Sequence, residues 1–502
     1  MPIEPVFEKI NYTRPSDSVK SQIKIDCKSE LATEQIDKVL GVNAFMSLSQ
    51  SEAVNGQIRY GGKINFYISY INAEGEVKKC ECGSEFTGIA ECATATEGVR
   101  CKVNAYVEKT EVMLDGIFLA VSAFVSVNAS VVERKEISAL TGGDNLITDS
   151  KDIPVVKSFG VREGVFPLEE QFELDFPVQE VLSHRANAVI TAVQCGVGAI
   201  IIDGEVFVSV IALQKNQKNT IIRENKVLPF RYELECDDAM PSVQATARVR
   251  EKSFKTDISV DEEKGTSTLI SHVNLQFEGE AFVVTSTSLV ADAFSTADEL
   301  ELLYDEFPYY KACEQYVVSG TQSGKCSLDL PQGSTLLAVA GENVEIVSQS
   351  AEQTGVVVNG VISATGYFCD QDGKIFSRRL ETPFEKNVEY MGDKKDTVEI
   401  KCVVDKCSAR ISGENQIDMD YELFFTVYPC ERSSIKYVKD IKCVGCKKTI
   451  DSAISVYIAL DGEDLWSLSK RLNTSPEALI STNKELQFPL TGNERIVVYR
   501  QK

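Results

Sequence analysis

Hydrophobic and polar residues alternate at period two over long stretches of this chain. The alternation is plain in Lys63-Ile-Asn-Phe-Tyr-Ile-Ser-Tyr70, Glu205-Val-Phe-Val-Ser-Val-Ile211 and Asp418-Met-Asp-Tyr-Glu-Leu-Phe-Phe-Thr-Val427. Successive side chains of a strand point to opposite faces, so the pattern predicts strands with one face in a core and one in water. The pairs Asp115-Gly116, Asp203-Gly204, Glu278-Gly279, Asn359-Gly360 and Asp372-Gly373 tolerate the positive φ of tight hairpins and are expected to be turns. The expected class is mainly β, with antiparallel, sandwich-like domains and few helices.

The pattern recurs at long period. An apolar pair, Val39-Leu40, Val181-Leu182 or Leu337-Ala338, begins 23 residues before an expected turn glycine, which is Gly62, Gly204 or Gly360. A phenylalanine follows each glycine by 24, 26 and 24 residues, at Phe86, Phe230 and Phe384. A second glycine, Gly75 or Gly373, stands 13 residues after the first in copies one and three. Copies two and three share the lead-in segments Leu174-Asp175-Phe176-Pro177 and Leu328-Asp329-Leu330-Pro331. Self-similarity at fixed spacing is the mark of a repeated unit. The expected organisation is an N-terminal segment (1–20), three repeats (21–140, 166–308 and 326–441), linkers (141–165, 309–325 and 442–453) and a small C-terminal domain (454–502).

That C-terminal segment changes period. Ser455-Val-Tyr-Ile-Ala-Leu460 reads as a strand, and Leu465, Leu468 and Leu472 fall at helical spacing from Asp464 to Leu472. Ser475 suits a helix cap and Pro476 a first turn, and Arg495-Ile-Val-Val-Tyr499 reads as a second strand. The expected unit is βααβ, with Trp466 and Leu468 in its small core.

Charge narrows the function classes. The 502 residues carry 52 Lys+Arg against 75 Asp+Glu, a formal charge of −23, all of it upstream of the neutral C-terminal segment. Such a surplus repels phosphate backbones and anionic head groups, so neither nucleic-acid binding nor direct membrane insertion is expected. The amino terminus holds no apolar run of signal-peptide length, and a cytoplasmic location is expected. Fifteen scattered cysteines suit reduced thiols better than a disulfide framework. Cys443 and Cys446 form a lone CxxC where zinc calls for four ligands, so no metal and no cofactor are expected.

No catalytic constellation stands out either. His184 and His272, the two histidines, lie beside no nucleophile motif, and acidic runs such as Asp261-Glu262-Glu263 mark wet surface. Asp370-Gln-Asp372-Gly373 lacks the further ligands of a calcium loop and aligns with Asn72-Ala-Glu-Gly75 as a hairpin turn. No GxxxxGK[ST] loop occurs. The chain is expected not to be an enzyme; its exposed sheet edges either accept a partner's strand or are blocked from pairing by charges such as Lys63, Lys78 and Lys79.

Asp461-Gly462-Glu463-Asp464-Leu465-Trp466-Ser467-Leu468-Ser469-Lys470-Arg471 and Pro476-Glu477-Ala478-Leu479-Ile480-Ser481-Thr482-Asn483 resemble the two helical motifs of a LysM domain. Taken with this tail, the three upstream copies, and Val290-Ala-Asp292-Ala-Phe294-Ser295 as a closing motif, resemble the SPOCS domains of endospore coat proteins. The resemblance implies a mother-cell protein that binds the coat's basal-layer ATPase, partly through the LysM domain, together with other coat proteins, and so localises coat at the forespore surface. Peptidoglycan glycan chains are the alternative ligand it implies. The family's groove corresponds to Gly462, Asp464, Leu465, Asn483, Phe488, Pro489 and Leu490.

Overall fold

The structure, a computed structural model, describes residues 3–15, 18–30, 35–115, 118–215, 220–313, 315–352, 354–390, 397–413, 415–448 and 453–499. Gly116 of one expected turn and residues 449–452 of the last expected linker lie outside the described residues. The first unit contains β1 (Glu4–Pro15), β2 (Val19–Glu30), β3 (Ile36–Val54), β4 (Gln57–Asn72), β5 (Val77–Glu91), β6 (Cys101–Asp115) and β7 (Phe118–Asp144). The second contains β8 (Ile147–Leu174), β9 (Val178–Cys195), β10 (Ala199–Gln214), β11 (Ile221–Glu235), β12 (Gln244–Asp261) and β13 (Thr266–Phe294). The third contains β14 (Asp298–Cys313), β15 (Tyr316–Ser327), β16 (Thr335–Ala351), β17 (Gly355–Cys369), β18 (Ile375–Glu389), β19 (Thr397–Gly413) and β20 (Gln416–Cys446). The tail is β21 (Ile454–Ile458), α1 (Leu465–Leu472), α2 (Pro476–Thr482) and β22 (Arg495–Tyr499).

The protein is mainly β and its strand pairs are antiparallel. Each unit pairs three strands in one sheet (β3-β4-β5, β9-β10-β11, β16-β17-β18) and three in another (β2-β7-β6, β8-β13-β12, β15-β20-β19). The two sheets of a unit share one apolar cluster. Alternation explains the central strands: Leu119, Val121, Ala123, Val125, Val127, Ala129 and Val131 of β7 are all buried, while the residues between them face outward.

Four of the expected turns are not turns. Gly62 lies inside β4, and Asp203-Gly204, Glu278-Gly279 and Asn359-Gly360 lie inside β10, β13 and β17. At Gly62, Gly204 and Gly360 the reason is a close approach rather than a positive φ. Each pairs across the ladder with the marker phenylalanine, Phe86, Phe230 or Phe384, whose ring covers the bare backbone. On its other side each glycine meets a β-bulge, where the partner strand carries the extra residue Ser49, Thr191 or Val347. Gly75 and Gly373 do turn, at φ +77°, and Asn72 and Asp370 accept the turn's amide hydrogens on their Oδ1 atoms.

The stretches expected as linkers are largely strands. β1 with residues 132–144, 147–158 with 282–294, and β14 with 430–446 form three two-stranded arms. Their apolar sides meet at Ala139, Ile153, Leu289, Phe307 and Tyr437, and again at Leu140, Val290, Ala293 and Val438. Adjacent residues such as Ala139-Leu140 are both buried because the two faces of an arm enter different clusters. Polar residues on the outward positions gave these strands the composition of linkers.

Candidate interaction surfaces

The three units are held together by their own marker residues. Leu40, Leu182 and Ala338, one from each copy, share a buried cluster with Ile71, Ile211 and Tyr367. Hydrogen bonds cross the same junction, Ser69 Oγ to Tyr367 OH at 3.0 Å and Asn43 Nδ2 to Ser183 Oγ at 2.7 Å. Between units two and three, the buried Glu342 carboxylate accepts from Arg185, at 3.5 Å, and from Arg223, which also donates to the Val339 carbonyl at 2.8 Å. Burial lowers the pKa of Arg185, and the Glu342 charge opposes that shift. The cavity beside this triad has a volume of about 60 Å³, room for water rather than a substrate.

His184 serves the same junction. Its ring lies edge-on to Tyr67 of unit one and Phe254 of unit two, each at 4.6 Å between centroids. Both ring nitrogens are buried without a hydrogen-bond partner, and burial pushes the pKa down to about 4. His272 sits on the outer face of β13, its Nδ1 3.2 Å from Glu169 and its Nε2 3.4 Å from Asp257. Among the described residues no group of three or more His, Cys, Asp or Glu is placed to hold a metal ion.

The tail pairs β21 with β22 and packs α1 and α2 over one face of that ribbon. Asp464 caps α1 by accepting from the Ser467 amide at 2.7 Å, and Ser475 caps α2 by accepting from Ala478 at 3.2 Å. Leu468, Leu472, Leu479, Leu490, Ile496 and Val498 form its core. Glu463, buried beneath α1, accepts two hydrogen bonds from Arg471 at 2.6 and 2.7 Å, which hold its carboxyl below the usual range.

The structure brings the two expected groove loops together and also uses most of their residues. The Gly462 amide donates to Leu490 O at 2.8 Å, and the Leu490 amide to Glu463 O at 2.9 Å. Leu490 is buried, and Leu465 and Phe488 pack against the core. Asn483 is spent as a clamp: its Nδ2 donates to Leu479 O and Val497 O, and its Oδ1 accepts from the Val497 amide. Gly462, Asp464 and Pro489 remain exposed.

Trp466 corrects the expectation that it belongs to the tail's core. It projects from α1 onto the second unit's arm, where its ring meets Phe294 edge-on at 5.2 Å and Nε1 donates to Asp292 Oδ2 at 2.9 Å. Lys470 Nζ reaches the same carboxylate at 2.7 and 2.8 Å, and Tyr304 OH donates to it at 3.0 Å. Burial opposes ionisation of Asp292, but the hydrogen bonds from Lys470 and Trp466 outweigh it and lower its pKa. At the far end of α1, Asn473 donates to Thr296 O at 2.6 Å, and Lys447 bridges Ser295 O and Asn473 Oδ1. The seat is thus the closing motif Val290–Ser295. Its sequence was visible, but nothing local linked it to a helix 174 residues away.

These features define a β-rich scaffold of three like units with a small α/β tail fixed to one arm. The SipL, SPOCS domain family matches residues 35–115, which run from the start of β3 to the end of β6 in the first unit. That match points to a sporulation, coat-related role. No curated protein and no solved structure matches the chain. No helix among the described residues is long and apolar enough to cross a membrane.

Proposed function

We propose that this chain is a non-enzymatic scaffold of endospore coat assembly, acting in the mother cell at the forespore surface. The observation that carries the reading is the SPOCS match over 35–115, within the first of three units that share strand order and marker contacts. Units two and three are read as further copies of that domain, and the tail as a LysM-type module. Its partner is the basal-layer coat ATPase, bound partly through the tail, along with other coat proteins. Recognition of protein rather than glycan is favoured by the state of the groove residues, since Asn483 is committed to the backbone and Leu490 is buried.

The test presents the full chain, and the chain without residues 453–502, to the purified coat ATPase and to purified peptidoglycan. Retention on the ATPase that weakens when the tail is removed is the expected result. Retention on peptidoglycan alone would replace this reading with that of a glycan-binding protein.

A further inference from the structure

The outer face of the tail's ribbon is apolar except at Arg495. Strand side chains alternate, and in β21 the outward set is Ile454, Val456 and Ile458, continued by Leu460 where the Ala459 amide extends the pairing to Glu494 O. Across the ladder, Tyr499 stands opposite Ile454, Val497 opposite Val456 and the exposed Arg495 opposite Ile458, so one cation sits at the end of the apolar face. Ile454, Val456, Ile458, Leu460 and Tyr499 are each between 54% and 60% exposed. The inward set, Ala459, Ile496 and Val498, already fills the core, and Trp466 and Lys470 are engaged with Asp292. The seat on the arm therefore uses one side of the tail and leaves this face outward.

We infer that this face is a self-association surface, on which a second copy of the chain packs its own β21–β22 ribbon. Two observations select a second copy as the occupant. At the exposures given, the patch offers roughly 500–600 Å² per copy, so a two-fold contact buries about 1,000–1,200 Å², the lower bound of a specific interface. Charge supplies the second. The chain as a whole bears −23, which resists its own association, but residues 453–502 carry six acids and six bases and no net charge. Contact through the neutral tails adds no like-charge repulsion of its own, and a largely apolar ribbon face can meet its own copy about a two-fold axis. This inference goes beyond the scaffold reading and does not depend on which protein the scaffold binds.

The test is sedimentation of the full chain across a micromolar concentration series, at low and moderate salt, beside the variants Val456→Glu and Ile458→Ser. A reversible monomer–dimer equilibrium is expected, weakened at least ~10-fold by Val456→Glu, with salt strengthening the wild-type dimer by screening. Trp466 fluorescence and circular dichroism of the variants report whether the tail is still folded and seated. A wild-type chain that stays monomeric throughout overturns the inference, whatever the variants do. So does a dimer left intact by both substitutions. Loss of coat-ATPase capture in Val456→Glu, with the wild type monomeric, would assign the face to that partner instead and leave the scaffold reading standing.

Discussion

Gly204 and Phe230 pair across the β10–β11 ladder, and the Phe230 ring occupies the space that a side chain at position 204 would need. The same pairing joins Gly62 to Phe86 and Gly360 to Phe384, where a Cβ would stand 3.0 and 2.6 Å from the ring. A glycine beside a bulge leaves backbone exposed inside the core, and the aromatic ring covers it. Gly204→Val is expected to destabilise the second unit by about 2 kcal/mol or more through overpacking, and Phe230→Ala by about 3 kcal/mol through the void it leaves. Urea unfolding monitored by circular dichroism measures both.

Leu468 and Trp466, two positions apart on α1, are expected to fail differently. Leu468→Ala empties the tail's core, costs about 2–5 kcal/mol, and should unfold the tail. Trp466→Ala should leave the tail folded while releasing it from the arm. Hydrogen exchange separates the outcomes: Leu468→Ala exposes the amides of α1 and β22, whereas Trp466→Ala raises exchange only around residues 292–296.

Asp292 gives the seat a pH dependence of definite sign. Its pKa is lower in the seated state, so the contribution is complete above the ordinary value of 3.8 and is lost as pH falls below it. Trp466 emission should shift to the red over that acid range. Asp292→Asn should show the shifted emission already at neutral pH.

His184 acts in a higher window. Its pKa is depressed from 6.5 to about 4, so the unfolded chain binds the proton first, and stability falls as pH drops from about 6.5 toward 4. The full effect is on the order of 3 kcal/mol. His184→Phe, which keeps the ring contacts with Tyr67 and Phe254, should flatten the difference in melting temperature between pH 7 and pH 5.

Glu342 holds two arginines of another unit. Glu342→Gln removes the charge opposite Arg185 and Arg223 and is expected to cost about 1–3 kcal/mol, since two part-buried cations lose that counter-ion. Limited proteolysis should then cut more readily around residues 339–343 and 223, ahead of cleavage within unit one.

The sequence by itself determined the class of the fold and the identity of each core face. Period-two alternation fixes which side of a strand is buried, and Leu119 to Val131 shows that rule at work. The recurring spacing of 23 and then 24 or 26 residues also carried real geometry, since it measures the path from Gly62, Gly204 and Gly360 around a hairpin to the covering phenylalanine. It could not say that Gly204 lies within a strand, because glycine serves equally where φ is positive and where a neighbour leaves no room for a Cβ. Only the tertiary structure decided what the outward residues meet. Ile153 and Tyr309 looked like parts of linkers until three arms packed together, and Trp466 looked like core until α1 reached Asp292. The physical reason is range: strand periodicity is set by each residue's own backbone, whereas contacts between units depend on surfaces that form only after each unit has folded.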